Sequence, residues 1–254
     1  MFKKIKIAKS IKVVISAVVL FSLIAFVNNE YDAETCNDII VSIENQHDNY
    51  YVDKQDVVKL LNNAGEDVIV GKSFKDVNLK EIEGRILSSS YIKETQVFKD
   101  LKGNLIVKAN LRRPIARIVR KGNNDAYISE EGELLQVSDK YNSRVILLSG
   151  KGAEALIEAE KNVVESNPEL FEMIEFINND PFWKAQIAQI DMKANGEVIL
   201  YPQVTKQYVE FGEINDVEEK FKKLKIFYKR ILPLKGWNYY DKVNLKYEGQ
   251  IIAD

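Results

Sequence analysis

Fifteen consecutive residues without a charge, Val13 to Val27 (VVISAVVLFSLIAFV), constrain this chain more than any other feature. A helix that is apolar on every side has to be buried, in a large core or in a membrane. At 1.5 Å per residue the run reaches about 22 Å. Adding Ile11, with the Lys12 ammonium extended to the headgroups, gives about 25 Å, enough for a slightly thinned bilayer. A cleaved signal peptide is the competing reading, but VNNEYDAE after Phe26 has no A-x-A-like cleavage site. Lys3, Lys4, Lys6, Lys9 and Lys12 precede the run, and Glu30, Asp32 and Glu34 follow it. That asymmetry predicts a cytoplasmic tail over 1–12 and a transmembrane helix over 13–27, anchored along its length by Val13, Leu20 and Val27. Everything after it is then extracytoplasmic.

Charge and rare residues narrow the chemistry. Removing the five tail lysines from the formal net charge of −2 leaves −7 on residues 13–254, which argues against nucleic-acid binding through a basic face. A single cysteine, Cys36, permits no internal disulfide. A single histidine, His47, leaves no Cys/His cluster for zinc and no obvious nucleophile–histidine pair. No metal or cofactor is expected. With 46% apolar and 29% charged residues, the chain has the composition of a folded protein.

The body reads as mixed α+β. Residues 39–43 are β-rich, and Asp53 is a candidate N-cap for a helix carrying Val57, Val58, Leu60 and Leu61 that stops at Gly65. Asn78 and Glu81 resemble a capping box before Leu79, Ile82, Ile86 and Leu87. A strand over 91–99, the turn DLKGN, and the alternation of Leu105, Val107, Ala109 and Leu111 complete a β-α-α-β-β module. Pro114 in LRRPIARI cannot donate to a ladder, so a central strand should end or move to an edge there. Domains are therefore predicted over 35–114 and 115–254, with Arg113 and Pro114 as the hinge. Beyond it, a hairpin around EEG, a strand at 145–148, a helical stretch over 152–179 interrupted by Pro168, and short strands from 187 to 211 follow. DVEEKFKKLKIFYKRI reads as an amphipathic helix. Val243, Leu245 and Tyr247 alternate with polar residues, which predicts a terminal strand running nearly to Asp254.

Several motifs imitate chemistry. GEDVIVGKS at Gly65–Ser73 has five residues between its glycines, where a phosphate-binding loop needs four, and its β-branched run resists the turn. Gly150, Lys151, Gly152 and Ala155 imitate a dinucleotide fingerprint without its parallel βαβ context, and read better as a strand end and helix start. His47 lies in a polar loop. The carboxylates fall mostly in helix-face runs, and no pair stands out for acid–base work. Trp237, Tyr239 and Tyr240 read as packing against the adjacent helix, a sugar or partner platform being the alternative. Residue chemistry alone indicates a membrane-anchored, non-enzymatic interaction protein.

The order of segments resembles the bacterial cell-division family FtsQ/DivIB. YYVDKQDVVKLL followed by LKEIEGRILSSSYIKETQVF looks like that family's POTRA module. LRRPIARI is similar to its arginine-proline-alanine exit, although Arg112 stands where an acidic residue usually does. AYISEEGELL resembles the hairpin opening its β domain, and VNLKYEGQII its terminal strand. The resemblance implies a scaffold in the inner membrane at the division septum, its bulk periplasmic. Its β domain would join a small coiled-coil pair of the FtsB/FtsL type and help regulate septal peptidoglycan synthesis, with no reaction catalysed and no small-molecule substrate. On the terminal motif, Tyr247 takes the place of the partner-contacting tyrosine, flanked by Lys246, Glu248, Gly249, Gln250 and Ile251. Tyr247 shares a face with Val243 and Leu245, so a core role is the alternative. The functional alternatives are an anchored envelope enzyme and a POTRA-type envelope assembly factor.

Overall fold

The computed structural model describes residues 14–24, 34–45, 50–159 and 161–254. The lysine tail, Val13, Val27 and His47 lie outside the described residues. Helix α1 covers residues 14–24 and includes Leu20. No helix among the described residues is long and apolar enough to cross a membrane. The chain divides into two units, one built from the segment ending at Glu44 together with Val52–Asn110, the other from Asn45–Tyr51 with Leu111–Asp254.

In the first unit the order is β1 (Ile39–Glu44), α2 (Lys54–Leu61), α3 (Leu79–Leu87), β2 (Ile92–Lys99) and β3 (Leu105–Leu111). The sheet order is β1-β3-β2, with β1 parallel to β3. Asp53 and Asn78 both cap their helices, but the reciprocal box forms at Asp53–Asp56, and Asn78–Glu81 makes the N-cap bond alone. Asp53 Oδ1 accepts from the Asp56 amide at 2.9 Å while Asp56 Oδ2 accepts from the Asp53 amide at 3.0 Å, and Asn78 Oδ1 accepts from the Glu81 amide at 3.2 Å. Val57, Leu61, Ile82 and Ile86 are buried, as are the alternate β3 residues Leu105, Val107, Ala109 and Leu111. α2 ends short of Gly65 because Asn63, Ala64 and Gly65 all take positive φ, at 47°, 55° and 101°.

The second unit is one nine-stranded sheet in the order β12-β11-β10-β9-β8-β7-β4-β5-β6. Its strands are β4 (Pro114–Ile118), β5 (Ala126–Ser129), β6 (Leu134–Gln136), β7 (Ile146–Ser149), β8 (Ile187–Met192), β9 (Val198–Pro202), β10 (Tyr208–Gly212), β11 (Lys242–Asn244) and β12 (Ile252–Ala253). Between β7 and β8 come α4 (Lys151–Glu158), α5 (Val163–Ser166), α6 (Pro168–Asn179) and α7 (Pro181–Gln186); α8 (Val217–Ile226) and α9 (Leu232–Lys235) precede β11. The predicted long helix over 152–179 is three helices, because Pro168 takes the first turn of α6 behind an Asn167 cap. An aromatic core joins the layers, with the Trp183 and Phe221 rings 4.7 Å apart and Phe211 and Phe221 5.4 Å apart.

One expectation about topology is corrected. Strand β4 neither ends at Pro114 nor lies at an edge; it starts there and runs between β5 and β7. Proline is tolerated because it is the strand's first residue, pairing with β7 begins only at Ala116, and the neighbouring bond is made by the Arg113 carbonyl, which accepts from the Glu130 amide at 2.9 Å. Arg113 and Pro114 thus both lie within the second unit.

Candidate partner-binding surface

The end of the chain is a hairpin, not one strand. β11 pairs in parallel with β10, and the Leu245 amide extends that pairing to the Glu210 carbonyl at 2.9 Å. Val243 and Leu245 are fully buried. Then Asn244 Oδ1 accepts from the Lys246 amide at 2.9 Å, and the chain turns through Tyr247, Glu248 and Gly249, the last at φ +69°. It returns as β12, antiparallel to β11, with Val243 opposite Ala253 and Asn244 opposite Ile252. The Asp241 and Lys242 amides donate to the Asp254 oxygen at 2.8 and 3.0 Å, and the Asp254 amide donates back to Lys242 at 3.2 Å. The predicted continuous strand fails because period-two alternation is blind to a side-chain-to-backbone bond at Asn244 and to a left-handed residue at Gly249.

The turn carries the six residues singled out in the sequence. Tyr247 is 50% exposed, so it does not fill the core. Lys246, Glu248, Gly249 and Gln250 are exposed as well, whereas Ile251 is half-buried and turns back onto the core. Lys246 Nζ reaches Glu197 Oε1 at 2.9 Å, and Glu197 Oε2 also meets Lys193 Nζ at 3.1 Å. The Lys246 ammonium, then Lys193, holds the Glu197 carboxyl below the usual carboxylate range, and Glu197 in turn raises Lys246. Gly212, at φ +79°, makes room for the Lys246 stem; a Cβ there would stand 2.9 Å from Lys246 Cγ. From the opposite side Lys223 Nζ donates to the Tyr247 carbonyl at 3.1 Å.

Beside this turn lies an open edge, since β12 is an outermost strand of the sheet. Asp254 exchanges its bonds with Lys242, and alternation along an antiparallel ladder therefore turns the amide and carbonyl of Ala253 outward. Next to it Ile252 is 43% exposed. An outward amide and carbonyl beside an apolar side chain offer a starting point for strand addition. Sequence reading missed Glu197 and Lys223, which lie 49 and 24 residues from their partners; only the folded sheet brings them together.

The imitations of chemistry resolve as packing. Gly150 and Gly152 let α4 approach the end of β8, where a Cβ would collide with the Met192 and Lys193 carbonyls. In the Gly65–Ser73 loop Ile69 is buried and Lys72 pairs with Asp67. Cys36 is buried, and that burial pushes its thiol above the usual range. The Trp237, Tyr239 and Tyr240 cluster meets the preceding helix in part, with Trp237 6.2 Å from Tyr228 and Tyr240 5.5 Å from Phe227.

A nine-stranded sheet with a short open edge, preceded by a small two-helix module, defines a binding scaffold. Residues 34–110 match the POTRA-like domain, and residues 113–254 match the family described as FtsQ/DivIB, C-terminal related. The second match alone spans more than half of the chain, which therefore belongs to the FtsQ/DivIB family. Both are non-enzymatic scaffold families, and the role that goes with FtsQ/DivIB is in cell division. Among curated proteins, no significant match is found.

Proposed function

We infer that this protein is a membrane-anchored scaffold of the bacterial division machinery, held in the inner membrane by residues 13–27, with its body periplasmic at the septum. Its β domain takes up small divisome membrane proteins of the FtsB/FtsL type and so helps regulate septal peptidoglycan synthesis. The observation that carries the binding reading is the outward-facing backbone of Ala253 on end strand β12, beside exposed Ile252 and Tyr247. A partner strand adds there through main-chain bonds, while Tyr247 and the charges of Lys246 and Glu248, with Gln250, select its side chains. With only two residues in β12, the partner itself has to supply length by ordering on binding.

Proline at position 253 isolates the backbone contribution. Ala253→Pro deletes the amide that faces a partner and leaves the Asp254–Lys242 bonds in place. Binding of a purified FtsB/FtsL-type partner should weaken by about tenfold or more, one lost main-chain bond with an orphaned acceptor, at an unchanged unfolding midpoint. Undiminished affinity would remove strand addition at β12 as the binding mode.

A further inference from the structure

From Lys220 to Tyr240 the chain has seven cations and no acid, in a body whose net charge is negative. Those on α8 are largely engaged internally. Lys220 Nζ donates to the Glu213 carbonyl at 2.9 Å, Lys223 to the Tyr247 carbonyl, and Lys225 pairs with Asp180 at 3.0 Å. Past α8 the pattern changes. The helix opens into a π turn over Phe227–Ile231, and residues 229–231 and 233–239 are all exposed. Among the described residues Lys229, Arg230 and Lys235 have no carboxylate partner, and they sit among Leu234, 85% exposed, Tyr239, 65%, and Trp237, 46%. Phe227, Tyr228 and Leu232 face inward and fix the segment to the core. Trp237 lies against Tyr228, and the Lys206 amide donates to Asn238 Oδ1 at 3.3 Å, so the exposed rings stand on a supported loop.

We propose that this face, Lys229, Arg230, Leu234, Lys235, Trp237 and Tyr239, docks the β domain onto an anionic phospholipid surface. Cations bearing apolar and indole side chains are the chemistry of the bilayer interface, where Trp and Tyr rings settle at headgroup depth and free Lys or Arg meet lipid phosphates. An acidic second copy would meet these charges too, but the exposed Leu234, Trp237 and Tyr239 beside them suit the headgroup boundary of a bilayer, whose lipid must then be anionic. The anchored topology inferred above supplies proximity to the bilayer, and the test separates the two claims.

Trp237 is its own reporter, because the only other tryptophan, Trp183, is 1% exposed. The full-length chain is brought to vesicles carrying brominated acyl chains, either purely zwitterionic or containing phosphatidylglycerol, by removal of detergent. Flotation with zwitterionic vesicles, which the face should not bind, reads the anchor; quenching of Trp237 reads the face. Each cation near an anionic surface multiplies affinity about fivefold, so the three together give roughly a hundredfold. Quenching should therefore appear on anionic vesicles and not on zwitterionic ones, vanish in Trp237→Phe, and be lost in the combined Lys229→Glu, Arg230→Glu, Lys235→Glu variant. It should also fall in 0.5 M salt, where the screening length is about 4 Å, a control that needs no variant. Quenching indifferent to lipid charge, or absent, overturns the proposal. So does protection of Trp237 from aqueous iodide without bromolipid quenching, which would assign the face to a protein neighbour.

Discussion

Tyr247 shows what a single residue can and cannot reveal in advance. The alternation with Val243 and Leu245 suggested a shared buried face, yet the turn after Asn244 swings the ring out to 50% exposure. Truncation should then separate binding from stability. Tyr247→Ala is expected to leave the unfolding midpoint within error, while an interface aromatic typically contributes about 2 kcal/mol, roughly thirtyfold in partner affinity. Denaturant unfolding and titration calorimetry on the same preparation check both; a lowered midpoint would return Tyr247 to the core. Glu197 was not legible beforehand, because nothing local to it points to Lys246 across 49 residues. Its lowered carboxyl pKa gives a stability contribution present above the ordinary value of 4.5 and lost as pH falls through the lower folded value. Lys246, raised above 10.5, contributes fully below that value and loses its contribution as pH rises through the raised one. Glu197→Gln should therefore flatten both the acid and the alkaline limbs of the midpoint-against-pH curve slightly and leave the neutral plateau's shape unchanged.

At the scale of elements, local chemistry was the reliable guide and long-range pairing was not. The caps at Asp53 and Asn78 form as their spacing implies, since an N-cap bond is decided within four residues. Asp53→Ala removes the acceptor for the Asp56 amide and should lower stability by about 1 kcal/mol, read as a shift in denaturant midpoint at unchanged slope. Gly150→Ala should do more, about 2 kcal/mol or above, because φ is +90° there and the new methyl meets the Met192 carbonyl. A neutral result would mean that β8 yields more easily than its place inside the sheet implies. The misreadings share one cause. A missing amide alone places Pro114 at a strand's end or edge, while the sheet satisfies that end of β4 through Arg113; periodicity alone continues the terminal strand, while Asn244 and Gly249 reverse it.

For the whole molecule, the order of elements is visible in the sequence, but the strand order of the nine-stranded sheet is not, because it depends on pairings between distant segments. The second unit is discontinuous, with Tyr51 packed 5.6 Å from Tyr127 and 5.2 Å from Tyr141, its oxygen accepting from the Ser143 amide at 2.9 Å. A fragment starting at residue 111 lacks that ring and should unfold at a lower denaturant concentration than the same unit in the full chain. If β12 receives a partner strand, one end of this sheet should meet a partner and the other should not. A photoreactive residue is placed at Ile252 and, separately, at the exposed Gln136 of β6, the opposite edge. In dividing cells a crosslink is expected from position 252 to a small single-span division protein, lost in Ala253→Pro, and none to that protein from position 136. A crosslink from 136 with silence at 252 would contradict strand addition at β12.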